Sequence, residues 1–160
     1  MDELDAVERD AVSIAFNKTA APRRRAWRTL AAIEAAERRR GHEAKAKVVR
    51  EHMKRVEGEL RGICDGLLDV VDAAGTTGST ESEAFFGKMK GDYNRYIAEV
   101  TTGDERASAV ERAVAAALAV AQREKEEAVA RAVAEAVAEA KREAARDKEE
   151  ALTRASERAA

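Results

Sequence analysis

Residues 43–74 read EAKAKVVREHMKRVEGELRGICDGLLDVVDAA. Within them Val49, Met53, Val56, Leu60, Ile63, Leu67 and Val70 recur in alternating steps of four and three. That period belongs to one face of an α-helix, and seven apolar side chains on one face must be buried against neighbours. The stretch therefore predicts a helix at the centre of a helical bundle. Gly58, Gly62 and Gly66 weaken it, but their spacing of four would let another helix approach closely.

The same punctuation works outward in both directions. Before this segment, a helix is predicted over about 3–39, with Val12, Ala15, Phe16, Trp27, Leu30 and Ile33 on roughly one side. Pro22 sits inside it, where it removes a backbone donor and should kink or split the helix. Arg38, Arg39 and Arg40 followed by Gly41 make a good stop, because cations suit a helix C-terminus and glycine suits the left-handed residue after it. After it, residues 74–79 read as a flexible loop.

Thr80 and Glu83 then form a capping-box pattern at the start of a helix over about 81–101. Phe85, Met89, Tyr93, Tyr96, Ile97 and Val100 share one of its faces, and Lys88, Asp92, Arg95 and Glu99 form a charged stripe beside it. Thr102 and Glu105 repeat the capping pattern and open a fourth helix from about 104 onward. No Gly or Pro follows, and no aromatic residue occurs after Tyr96. As one helix this Ala-rich segment would run about 85 Å; a turn near 122–127 or pairing with another chain are the alternatives.

Composition agrees. The 160 residues are 38% charged and 45% hydrophobic with one proline, the mixture of long helices. A formal charge of −2 supplies no field to hold nucleic acid or an anionic membrane. Arg23–Arg25 and Arg38–Arg40 are diluted by Glu34, Glu37 and Glu43. No apolar run approaches the roughly 18 residues of a membrane span. Met1-Asp2-Glu3-Leu4-Asp5 lacks the order of a signal peptide.

A single cysteine, Cys64, forbids an internal disulfide and fits a reducing, cytoplasmic setting. Beside Ile63 on the seam, it reads as a buried small hydrophobe. His42 and His52 have no ligand spacing, so no metal is expected. No cofactor-binding motif and no nucleophile with a nearby base is present, so an enzyme is the least supported class.

Residues 88–106, KMKGDYNRYIAEVTTGDER, resemble the 14-3-3 family of all-helical adapters that bind phosphoserine and phosphothreonine peptides. Glu59-Leu60, Ile63-Cys64-Asp65-Gly66 and Val70-Val71-Asp72 add to the likeness, as do Arg23-Arg24, Trp27-Arg28 and Ile33-Glu34. The likeness covers about residues 9–127 and implies that the first helix here is the family's third. It implies an all-α antiparallel bundle over 1–127 that resembles a partial 14-3-3 fold, with 128–160 as an Ala-rich helical extension. The two preceding family helices, which help form the family's dimer, would then be missing. Apolar surface on the first two helices would be covered by the fourth helix or by a second copy of the chain. Self-association, and so a homo-oligomer, is the expectation.

The resemblance also implies a site. In the family two arginines and a tyrosine hold the phosphate, and these match Arg24, Arg95 and Tyr96. A guanidinium is suited to this because its planar fork meets two phosphate oxygens at once. Asp92, three residues before Arg95, is placed to orient it. Asn17 stands where the family has a lysine, neighbouring Lys18 points about 100° away, and Lys88 is a further weaker candidate. The expected partner is a phosphorylated protein or peptide, with no nucleic acid and no membrane. Two readings compete with a truncated, weakened adapter. One is a designed or degenerate helical scaffold whose arginines are ordinary surface cations. The other is a coiled-coil module driven by Val110, Val114, Leu118, Val129, Val133 and Val137.

Overall fold

The computed structural model describes residues 4–74 and 80–159, the side chains of residues 80, 152, 153 and 155–159 excepted. Among the described residues the regular elements are four helices: α1 (Ala6–Arg39), α2 (Glu43–Ala74), α3 (Thr80–Val100) and α4 (Gly103–Ala159). The chain divides into two compact units, Met1–Val120 and Ala121–Ala160.

Local chemistry explains the ends of α1. Asp5 accepts from the Glu8 amide at 2.8 Å, and Glu8 reaches back to the Asp5 amide at 3.0 Å, a reciprocal capping box. At the other end Gly41 adopts φ +76°, the His42 amide bonds the Glu37 carbonyl at 2.9 Å, and the Gly41 amide bonds that of Arg38 at 3.0 Å. These two bonds satisfy carbonyls the helix leaves open, so glycine is required where the chain turns left-handed. Of the kink or split expected at Pro22, the split does not occur: α1 runs unbroken through it. One missing hydrogen bond is a local loss, and α1 is held on both sides of it, by buried Ala20 before it and by the Arg23–Glu59 and Trp27–Glu57 contacts to α2 after it. The loop expected at 74–79 lies, from residue 75 on, outside the described residues, as does the Thr80 side chain of the first predicted capping box. Glu105, of the second, forms an ion pair with Arg61 of α2.

In the first unit the core lies along α2. Met53, Val56, Leu60, Cys64, Leu67 and Val71 are buried there, joined by Ala20 of α1, Phe86, Met89, Tyr93 and Ile97 of α3, and Ala109 of α4. The predicted seam is right in its first half and drifts in its second: Cys64 and Val71 replace Ile63 and Val70 as the buried positions, and Val70 is exposed. A straight helix turns 3.6 residues per turn, so a strict seven-residue pattern slips by about 20° per heptad. Ile33 is also exposed, while Ala20, too small to stand out in the sequence, is the wholly buried residue of α1.

Contacts fix the relative directions. Trp27 donates to Glu57 at 2.9 Å and Arg23 pairs with Glu59, so α2 runs antiparallel to α1. Arg9 near the start of α1 bonds Ser82 near the start of α3 at 2.7 Å and sits 3.4 Å from Glu81, so α1 and α3 run the same way. Arg9 is buried, yet its charge has Glu81, the Leu4 carbonyl and the Phe85 ring beside it.

Close helix approach occurs elsewhere than predicted. A Cβ built on Gly58, Gly62 or Gly66 would meet nothing within 4 Å, whereas one on Gly87 of α3 would lie 2.7 Å from Val120 of α4. Gly91 faces Ala113 and Ala116. The apolar stripe Val110, Val114 and Leu118 is exposed, so α4 does not turn it onto the α1–α2 surface. Replacing Gly58, Gly62 and Gly66 together by Ala should therefore raise stability by about 1.5–3 kcal/mol, since each alanine restricts the unfolded chain and meets no neighbour. Urea denaturation measures it; a loss of stability would show that the stripe is covered in solution.

In the second unit the helix displays Val129, Val133 and Val137 to solvent. Ion pairs one turn apart, such as Arg154–Glu150 at 2.8 Å, decorate its surface.

Candidate functional site

The parallel course of α1 and α3 brings the middle of α1 beside the last turns of α3. Arg24 and Arg28, one turn apart on α1, face Glu99 on α3. Arg24 meets Glu99 Oε2 through Nε at 3.0 Å and Nη2 at 2.9 Å, and Arg28 bonds the other oxygen. Glu99 thus joins two like charges that would otherwise repel. Burial alone would raise its carboxyl, but hydrogen bonds and charge from Arg28 and Arg24 outweigh that and hold it below the usual carboxylate range.

Tyr96, one turn before Val100, lies between the two predicted arginines. The Arg24 guanidinium carbon sits 3.6 Å from the Tyr96 ring centroid and that of Arg95 sits 5.0 Å from it. Cation–π attraction of this kind fixes the plane of a guanidinium, and with it the direction of its free N–H groups. Arg95 donates to Asp92 at 2.9 Å. Its side chain is 58% exposed against 16% for Arg24, so one cation is held at the floor and the other at the rim.

The structure thus brings Arg24, Arg95, Tyr96 and Asp92 together. Asn17 and Lys88 are exposed, and among the described residues neither side chain has a hydrogen bond or ion pair. Sequence reasoning named Arg28 only within a matching motif, and Glu99 within a charged stripe and, with Asp92, as an acid that could compensate Arg24 and Arg95. The helical spacing of Arg24 and Arg28 was the available signal for the first. The second depends on a contact spanning 71 residues, which no local pattern encodes.

Beneath the site, Tyr93 packs its ring edge-on to Phe16 at 6.5 Å and tilted against Tyr96 at 5.1 Å. Its hydroxyl is buried without a hydrogen-bond partner among the described residues. Burial, with help from Tyr96, Cys64 and Asp92, pushes its ionisation up to about 12. Cys64 is fully buried, as its place on the seam predicted. Burial first, then Asp65, pushes its thiol up to about 12 as well, so it stays protonated and inert near neutral pH. No group of His, Cys, Asp and Glu among the described residues could hold a metal ion. Among those residues no helix is long and apolar enough to cross a membrane.

Known proteins have similar sequences. The model of the family described as 14-3-3 protein matches residues 1–129. A 14-3-3-like protein of Helianthus annuus is 41% identical over 117 residues, which cover 72% of this chain and 45% of that protein. The 14-3-3-like protein GF14 omega of Arabidopsis thaliana is 42% identical over the same shares of the two chains. GF14-D of Oryza sativa subsp. japonica is 42% identical over 112 residues, covering 69% and 42%. The chain spans less than half the length of these curated relatives. With the match running through the helices that carry Arg24, Arg95 and Tyr96, the chain belongs to the 14-3-3 family.

Proposed function

We propose that this chain binds phosphoserine or phosphothreonine in peptides of a partner protein, as a non-enzymatic adapter of the cytoplasm that needs no cofactor. One observation carries the reading: two guanidiniums from different helices lie against one tyrosine ring, at 3.6 and 5.0 Å. A phosphate dianion between them would take charge-assisted hydrogen bonds from both, each stronger than a neutral one. Residues 1–127 would form the binding bundle and 128–160 a helical extension.

The scaffold reading also has an observation in its favour, because Arg24 and Arg95 already hold carboxylate partners. Fluorescence polarisation with a labelled 14-3-3-binding peptide separates the two. Weak, saturable binding of the phosphorylated peptide, lost as salt is raised, is expected. The unphosphorylated peptide should not bind, and equal behaviour of the two would favour the scaffold. Self-association accompanies the adapter reading, through exposed Ile33 and Val48 beside a groove lined by Leu30, Val49 and His52. Light scattering that reports only monomer at high micromolar concentration would count against it.

A further inference from the structure

The second unit, Ala121–Ala160, carries a surface that the clamp does not use. Its Val129, Val133 and Val137 stand one turn apart on one face and are 55, 57 and 48% exposed. Along the helix the same face runs on through exposed Ala140, Ala144, Lys148 and Ala151, with Glu126 before it. Val129, Ala140 and Ala151 repeat every eleven residues, a period that keeps one stripe nearly straight along the helix. Helices in proteins hold their form mainly by packing such a face, so an exposed valine stripe calls for a partner.

The stripe is broad at one end and narrow at the other. Laid parallel and in register, two copies would set valine on valine and leave a gap where alanine meets alanine. Turned antiparallel about Ala140, they set Val129 against Ala151 of the second copy and Val137 beside its Ala144, at an even spacing.

Charge selects the same alignment, in which residues equidistant from Ala140 meet. Between residues 126 and 154 charge meets charge at three levels: Glu126 with Arg154, Arg131 with Glu149, and Glu139 with Lys141. Every one of these is a pair of opposite sign, whereas the parallel alignment sets each charge on its own copy. Arg131 and Glu149 lie on the far side of the helix and add little. Arg154 is already paired with Glu150 at 2.8 Å. Glu139 and Lys141 flank the stripe, and among the described residues neither side chain has a hydrogen bond or ion pair, so they carry the larger share. We propose that this stripe is a docking face for the same stripe of a second copy, running antiparallel about Ala140. The pairing is independent of the phosphate clamp and of the apolar surface on α1 and α2.

The test uses full-length chains carrying Val129→Cys or Ala151→Cys, treated with a short bis-maleimide, each alone and as an equal mixture. Cys64 is buried, so the parent chain gives the background. In the antiparallel pair, position 129 of one copy meets position 151 of the other, while like positions lie about 33 Å apart. The mixture should yield several-fold more linked dimer than either variant alone. Linking within Val129→Cys alone that equals the mixture overturns the alignment, and no linking above the parent in any sample overturns the docking face. Glu139→Lys, added to both cysteine variants, sets cation against cation at two places in the dimer. It should raise the concentration at half-maximal linking by roughly tenfold. Adding Lys141→Glu restores opposite signs and should bring that concentration back to within about threefold, with circular dichroism confirming unchanged helix content. Failure of the rescue overturns the charge register. None of these positions touches the clamp, so a parent chain that binds no phosphopeptide would leave this result standing.

Discussion

Arg95→Glu should abolish phosphopeptide binding, a fall of roughly a hundredfold or more, while shifting stability by less than about 0.5 kcal/mol. The side chain is at the rim, 58% exposed, and among the described residues pairs only with Asp92 and the Tyr96 ring, so little of the fold rests on it. Its removal also places a carboxylate beside Asp92, turning a clamp into a repulsion. Arg24→Glu should abolish binding equally but with a second signature. Arg24 is 16% exposed and bonded to Glu99 across two helices, so the variant puts two carboxylates face to face in a half-buried place. Breaking such a pair by reversal costs several kcal/mol, and the midpoint of urea unfolding should fall with the affinity. Undiminished phosphopeptide binding by Arg95→Glu would assign the arginines to the scaffold.

The second large effect concerns the core. Leu60 is wholly buried at the middle of the α2 seam, in one cluster with Ala20, Cys64, Leu67, Met89 and Tyr93. Leu60→Ala removes buried methylene and methyl groups and leaves a cavity that rigid helices on several sides cannot close. A loss of about 3–5 kcal/mol is expected, a large part of the stability of a domain this size. Chemical denaturation monitored at Trp27 measures it, since that indole bonds Glu57 one turn from Leu60. A loss below about 1 kcal/mol would place the core elsewhere.

Local chemistry made most of the fold readable. The bounds of α2 and the stop at Gly41 follow from spacing and from a residue that alone tolerates φ +76°. Asp5 and Glu8 show that a signal can be present and still be passed over, as their capping box has the spacing of those assigned at Thr80 and Thr102. Where reading failed, the deciding quantity was three-dimensional. Cys64 and Val71 took the buried positions because the seam winds with the helix, and Gly87 rather than Gly62 meets a neighbour because of where α4 lies. The site divides in the same way. Arg24, Arg95 and Tyr96 were found through a resemblance to known sequences. The role of Glu99 depends on two helices meeting 71 and 75 residues apart in the chain.

Phosphorus NMR of a phosphoserine peptide titrated with the chain at low salt interrogates the clamp at the phosphate itself. Engagement by Arg24 and Arg95 predicts a saturable change in the phosphate resonance that added salt reverses and that Arg95→Glu does not produce. A resonance that stays at its free-peptide position throughout the titration, with the chain folded, would contradict the account.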